Sequence, residues 1–254
     1  MGLPAGRNLP LSPARRFICD LMDASRSVPL VSIERYVSIA PLIAARQSLR
    51  QRPSWFAIFI KAYAIVCDRM PELRRSYLTF PTHRLHQHAC NVANLAIARR
   101  IGEEDAVLAI QIRQPEQMPL AAIDERIRRA RTEPVESFGE YRRLLLISRL
   151  PRLLRRWLWW LAFSVSGRWR IQHFGTFGVT GVSAFGASSL HTLSPLTTTI
   201  AYGVIDADGR VVVRCFWDHR AIDGIPPAKA LVELERVLNN EMVAELGGIV
   251  SAAA

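Results

Sequence analysis

The run Asp218-His219-Arg220-Ala221-Ile222-Asp223-Gly224 is the part of this 254-residue chain best equipped for chemistry. It follows a strand-like stretch, Arg210 to Trp217, and precedes the helix opener Pro226-Pro227. A histidine at such a junction is held by the strand and still free to face a cleft. A general base needs a neutral imidazole, one tautomer and a fixed direction. Asp223, four residues on, is placed to fix the local charge. The residues alone also fit a histidine in a polar turn capped by two aspartates, and both readings stand at this point.

A second constellation is His83-x-x-His86-x-His88-x-Cys90. Alternation on a strand would put His86, His88 and Cys90 on one face, a set that zinc could use. No second ligand group lies nearby, so a polar strand is the better expectation and no metal is expected. The four cysteines, at 19, 67, 90 and 215, include no C-x-x-C pair. Neither a disulfide framework nor a zinc ribbon follows, and scattered thiols suit a reducing compartment.

Positioning these groups falls to a mixed set of elements. Ser12-Pro13 reads as an N-cap and first helical residue, after a loose arm over residues 1–10. Val28 to Val37 reads as a strand, Pro41 starts a second helix, and Pro53-Ser54 starts a third that is apolar nearly all round and hence buried. Strands follow at Val92–Ala98 and Ala106–Ile112, turning at Glu103-Glu104-Asp105. Residues 119–132 read as a basic amphipathic helix, and 138–165 as a helical tract interrupted at Pro151. Phe174 to Val182 is glycine-rich and strand-like. Leu196–Ile205 and Arg210–Trp217 are strands joined by the hairpin turn Asp206-Ala207-Asp208-Gly209, and Pro226-Pro227 opens the last helix. With no repeat or composition break, this is one α/β domain over residues 11–250.

The histidine run resembles the D-H-R-x-x-D-G signature of the acyltransferases at the core of 2-oxoacid dehydrogenase complexes. Leu11-Ser12-Pro13-Ala14-Arg15-Arg16 resembles the L-S-x-x-R-K start of that family's catalytic domain. Gly175-Thr176-Phe177-Gly178-Val179-Thr180 resembles its G-x-F-T-[IV]-[ST] strand, and Phe59-x-Lys61-Ala62 loosely matches a helix motif. The resemblance spans about residues 11–245. It implies the chloramphenicol acetyltransferase-like fold, a mixed central sheet flanked by helices. It implies His219 as general base and Thr180 as hydroxyl donor to a tetrahedral oxyanion, with Asp223 organising the site through an ion pair to Arg15. Asp218 and Arg220 belong to the supporting frame. It further implies acyl-CoA as donor, no attached lipoyl group, a hydroxyl, amine or thiol acceptor, and a homotrimer. In that trimer His219 would face a neighbour's Thr180, and trimers can build a larger cage.

The chain also departs from the family. No lipoyl module is expected ahead of the catalytic segment, so lipoyl groups would have to come in trans or, the favoured expectation, the acceptor is different. Gly178 and Gly181 replace larger residues, which suggests a more open wall. Residues 149–170 carry four of the six tryptophans and six arginines. That composition fits an in-plane helix at a membrane surface, the wall of an acyl-chain pocket, or a subunit interface. Net charge is +11, with only Lys61 and Lys229 not arginine among 33 basic residues. Such a surface favours anionic partners. No nucleic-acid-binding motif is present, and CoA is the economical anion. No apolar run reaches about 18 residues, which excludes a helical span, and no secretory leader is evident. Residence is expected in the cytoplasm, with peripheral contact at the inner face of a membrane through 149–170. The rivals to an acyl-CoA-dependent acyltransferase are a non-catalytic trimeric scaffold and an enzyme acting on lipoyl domains in trans.

Overall fold

The computed structural model describes residues 3, 5–181, 186, 187 and 189–253. Met1, Gly2 and Pro4 of the expected arm, and Val182 at the end of the glycine-rich run, lie outside the described residues. Helix α1 (Pro13–Ser25) starts where its cap chemistry demands: the Ser12 hydroxyl accepts from the Arg15 amide at 3.0 Å, with proline behind it. Strand β1 (Leu30–Ser38) and helix α2 (Ala40–Gln47) follow. Helix α3 (Trp55–Arg69), capped by Ser54, is the apolar rod at the centre of the core. Strands β2 (Arg75–Leu78) and β3 (Arg84–Gln87) form a separate small hairpin.

Strands β4 (Val92–Ile101) and β5 (Glu104–Arg113) pair along their full length. Their turn is Gly102-Glu103, not the expected acidic triplet. Gly102 takes a φ of +60° that suits glycine, and Glu104 and Asp105 are already in the ladder. Helix α4 (Leu120–Thr132) is the expected basic amphipath. The next tract resolves into α5 (Gly139–Ser148), α6 (Arg152–Trp160), a π-helical turn at Leu161–Val165, and α7 (Gly167–Phe174). Helix α7 takes the first residue of the expected glycine-rich strand, so β6 is shorter, Phe177–Thr180. Strands β7 (Thr198–Ile205) and β8 (Arg210–Asp218) and helix α8 (Ile225–Asn239) stand where expected. A further helix, α9 (Glu241–Ala253), follows what was read as the last one.

The main sheet has the order β1-β8-β7-β6-β4-β5. β6 runs parallel to both β4 and β7, and the other pairs are antiparallel. Alternation splits the sheet cleanly. Leu95, Ile110, Phe177, Val179, Ile200 and Val213 point into the core that holds α3 and α8. Asn94, Ala96, Ala109, Gln111, Gly178 and Thr180 point the other way, under α1, α5, α6 and α7. Lys61 on α3 is nearly buried and meets Glu245 of α9 at 2.6 Å. Glu245 also accepts from the Leu120 amide, so one carboxylate ties α9 to α3 and caps α4.

Candidate active site

Strand β8 delivers its last residue, Asp218, to a position with no solvent exposure. The carboxylate is held there by Arg220, whose backbone amide, Nε and terminal nitrogen all donate to it at 2.9–3.0 Å. The Arg220 guanidinium lies 4.8 Å over the Tyr77 ring and donates to the Ser27 carbonyl. Such a bidentate, stacked arginine is held in one geometry. The chain then turns, with the amides of Ala221 and Ile222 both donating to the Asp218 carbonyl. The His219 amide donates to the Pro29 carbonyl at 3.2 Å. The backbone of His219 is therefore fixed from both sides, while its side chain keeps 46% exposure.

Asp223 Oδ1 sits 3.7 Å from His219 Nδ1, and the Asp223 side chain is 90% exposed. That distance is beyond a hydrogen bond and within electrostatic reach. A carboxylate there favours a proton on Nδ1 and leaves Nε2 as the basic lone pair. The expected Arg15–Asp223 pair is not formed within the chain. Arg15 lies against Glu104 at 3.5 Å, both partly exposed. The first turn of α1 faces the β4–β5 turn at one end of the sheet, whereas β8 stands at the opposite side of the strand order.

Thr180 ends β6, and its hydroxyl has no partner among the described residues. It lies on the wall of a cavity of about 400 Å³. Thr180 is level with Ala201 on β7, and Ala201 with Arg214 on β8. His219 is five residues beyond Arg214 and two strands from β6. At about 3.3 Å per residue and about 4.8 Å per strand, the two side chains start roughly 19 Å apart. One chain does not bring them together.

The cavity exists because the sheet face beneath it is made of small residues. Ala96, Ala109 and Gly178 floor it, and Phe17, Trp159 and Phe174 wall it. Trp159 packs 5.8 Å from Phe17 and 4.8 Å from Phe174. Helix α6 is pinned over it by Arg155, which donates to both oxygens of Asp20 on α1, with both side chains about 10% exposed. The tryptophan-rich segment thus divides. Trp159 and Trp169 line the cavity, while Trp157 and Trp160 face outward. The glycine substitutions do not open the wall as expected. A Cβ on Gly178 would meet Thr199 Oγ1 at 2.8 Å, and one on Gly181 would meet the Tyr202 ring at 3.0 Å. Neighbouring side chains take that space.

Arg170 was not singled out by sequence. It is fully buried, donates to the Pro195 and Tyr77 carbonyls, and feels the Asp218 charge. Burial pulls its pKa down to about 10, and Asp218 opposes that shift. Asp218 therefore serves two guanidiniums. Only the tertiary fold brings Arg170 to β8, 48 residues away in sequence. The histidine cluster also separates. His88 is buried against the Ser76 hydroxyl at 2.8 Å, His83 pairs with Tyr77, and His86 meets the His88 ring edge-on. No metal-binding group of His, Cys, Asp or Glu occurs among the described residues. Burial pushes the Cys215 thiol up to about 12, which excludes it as a thiolate nucleophile.

The family profile described as 2-oxoacid dehydrogenases acyltransferase (catalytic domain) matches residues 4–136. The chain belongs to this acyltransferase family. The match covers α1 to the 3-10 turn after α4, and the Thr180 and His219 segments lie beyond it. No curated protein sequence matches the chain. Among solved structures, the Azotobacter vinelandii dihydrolipoamide acetyltransferase superposes with a TM-score of 0.69 at 16% identity, covering 95% of this chain and 94% of its own. A probable dihydrolipoamide acetyltransferase from Listeria monocytogenes gives 0.63 at 20%, covering 92% and 94%. A truncated catalytic core of the Thermoplasma acidophilum 2-oxoacid dehydrogenase complex gives 0.64 at 16%, covering 92% and 99%. The expected mixed central sheet flanked by helices is the fold of this chain, and these acyltransferase cores share it. As in the family, the domain is an acyltransferase. No helix among the described residues is long and apolar enough to cross a membrane.

Proposed function

We propose that this acyltransferase moves an acyl group from a CoA thioester to a hydroxyl, amine or thiol acceptor, with His219 as base at an interface between subunits of a trimer. The observation that carries the reading is the construction around His219. A buried, doubly bonded Asp218–Arg220 frame holds the backbone, while the ring stays exposed beside Asp223. The Azotobacter enzyme has been investigated for the role of a serine, a histidine and an asparagine in its mechanism, the last two four residues apart. His219 and Asp223 keep that spacing, and Thr180 supplies a hydroxyl earlier in the chain, as the serine does there.

In the proposed reaction, Nε2 of His219 takes the proton of the acceptor as its oxygen, nitrogen or sulfur attacks the thioester carbonyl. The tetrahedral oxyanion accepts a hydrogen bond from the Thr180 hydroxyl of a neighbouring subunit. Collapse breaks the carbon–sulfur bond, and the leaving CoA thiolate recovers the proton from the imidazolium. Asp223 favours the Nδ1–H tautomer throughout. The roughly 19 Å between the two groups within one chain supports a site shared between subunits. The cavity beside Thr180 favours an apolar group on the acyl or acceptor side, since it is lined by Phe17, Leu21, Leu158 and Trp159. A water's share of liquid volume is about 30 Å³, so the cavity takes a chain on the order of ten carbons.

The test is thiol release from acetyl- to palmitoyl-CoA, with dihydrolipoamide and simple alcohols and amines as acceptors. Wild type, His219→Ala and Thr180→Val are run alone, and the two variants are also co-expressed. Mixed trimers recover about a quarter of the wild-type sites, because one interface in four pairs an intact histidine with an intact threonine. No recovery on mixing would refute the shared site. Acceptor-dependent release that survives His219→Ala would refute the base. A folded trimer that releases no CoA from any donor and does not bind CoA would leave the scaffold reading in its place.

A further inference from the structure

Between Glu140 and Asp206 the chain has no acidic residue, yet it carries eight arginines. Two of them, Arg155 and Arg170, point inward and are bonded as described. The other six, Arg142, Arg143, Arg149, Arg152, Arg156 and Arg168, are exposed. None of the six guanidinium groups makes a hydrogen bond or ion pair among the described residues. Elsewhere on this molecule exposed arginines commonly do, as Arg35, Arg69, Arg129 and Arg236 show.

The apolar surface among these cations is unusual as well. Helix α6 exposes Leu153 at 81%, Trp157 at 52% and Trp160 at 44%. Phe80, from the loop after β2, lies 5.4 Å from Trp160, and Leu146 on α5 is also exposed. Helix α6 cannot roll to hide this face. Its inner side is locked by the Arg155–Asp20 pair and by Trp159 packed against Phe17, Phe163 and Phe174. An apolar patch on a rigid helix, with the unpaired Arg152 and Arg156 on that same helix, marks an interaction surface.

We propose that the outer face of α6, together with Phe80 and Leu146, docks in-plane on an anionic phospholipid bilayer. Charge complementarity selects this occupant. Arginines with no carboxylate among them match phosphate headgroups, and their stems allow the guanidiniums to reach up while tryptophan and leucine enter the boundary region. A second copy of a chain of net charge +11 would bring its own excess of cations to the face. At nine residues α6 is too short to span, so it lies on the surface. The inference does not rest on the reading of the acyl-transfer site.

The experiment is sedimentation of the full-length protein with sucrose-loaded vesicles of phosphatidylcholine, alone or with phosphatidylglycerol. Binding is expected only with the anionic vesicles and to weaken as salt rises. Arg152→Ala/Arg156→Ala lowers the partition coefficient about 25-fold, at about 1 kcal/mol per cation near the surface. Arg50→Ala/Arg52→Ala, the same charge change on the α2–α3 loop, leaves it within about 2-fold, taking distant charges as screened. Trp157→Glu abolishes binding with an unchanged circular dichroism spectrum, and brominated lipid quenches wild-type tryptophan fluorescence. Absence of binding at low salt would overturn the proposal. Equal loss in both arginine pairs would reduce it to non-specific attraction and overturn it too. A change of oligomeric state in Trp157→Glu would assign the face to a subunit contact instead.

Discussion

Asp218→Asn tests whether one buried carboxylate supports the whole histidine turn. The side chain has no exposure and accepts three hydrogen bonds from Arg220, one from the amide and two from the guanidinium. It is also the anion that opposes the desolvation of fully buried Arg170. An asparagine keeps the shape but removes the charge and turns one acceptor into a donor facing a guanidinium. Breaking a buried pair by removing one partner costs about 3–5 kcal/mol. Arg220 is about 29% exposed and can recover some hydration, whereas Arg170 cannot, so the lower part of that range, about 3 kcal/mol, is expected. For a domain of this size that lowers Tm by roughly 6–12 °C. Thermal melts at matched protein concentration measure it, because assembly shifts apparent stability. The double variant Asp218→Asn/Arg220→Met should be less destabilised than the sum of its singles, by about 1–2 kcal/mol. In the transferase assay kcat should fall with KM little changed, since the altered group positions His219 and touches neither substrate. A melt within 1 °C of wild type, or strict additivity in the double variant, would refute the frame argument.

Thr180→Val should lower kcat about 10²–10³-fold, the usual loss of one oxyanion donor, while Thr180→Ser keeps most of it. Filling the cavity by Ala109→Leu should shift the preferred acyl-CoA toward short chains, read from kcat/KM across the thioester series. Gly178→Thr should destabilise by about 1–3 kcal/mol through overpacking against Thr199, and Thr199→Ala should restore most of the loss in urea melts. Burial holds the His88 pKa down at about 3, so the folded state keeps it neutral where the unfolded chain takes a proton near 6.5. Its contribution is complete above pH 6.5 and declines as pH falls toward 3, by up to about 1.4 kcal/mol per pH unit. His88→Gln should flatten that slope between pH 6.5 and 5, above the carboxylate range.

The elements that sequence placed well are those whose ends are fixed by local chemistry. Ser12 caps its helix as expected, the third helix starts at Pro53-Ser54 as expected, and Asp206 to Gly209 turns the β7–β8 hairpin. Helix α9 escaped notice because Gly247-Gly248 interrupts its pattern, while its anchoring depends on Met242, Leu246 and the distant Lys61. The β4–β5 turn slipped by two residues because an acidic triplet resembles a loop, although Glu104 is a strand residue facing Arg15. At the site, His219 and Asp223 are neighbours on one turn and were legible together. The Arg15–Asp223 pair that the resemblance implied is not formed within the chain, because proximity across the fold depends on strand order. Of the cavity, the tryptophan-rich wall was one of the readings open in the sequence, but its floor was hidden. Ala96 and Ala109 carry no signal of their own, and only the registers Ala96↔Ala109 and Asn94↔Gly178 bring them onto one face with Gly178.

The division between closed and open parts of the site has a consequence for the proposed chemistry. Everything that fixes the backbone of His219 is completed within one chain: Asp218, Arg220, the Pro29 carbonyl and, behind them, Arg170. Everything that would touch reactants is left open: the imidazole, Asp223 and the Thr180 hydroxyl. A monomer that met both needs would have to fold the end of β8 back toward β6, and the antiparallel ladder between β7 and β8 forbids that. In the proposed trimer, rigid supports inside and reactive atoms outside would let a neighbouring subunit complete the site without reordering either chain, which would keep the entropy of assembly out of the chemical step. Under that reading the buried frame determines how accurately the base is aimed. The register of β6 and β7 determines how far the oxyanion donor must be from the base in its own chain, and so whose base it serves.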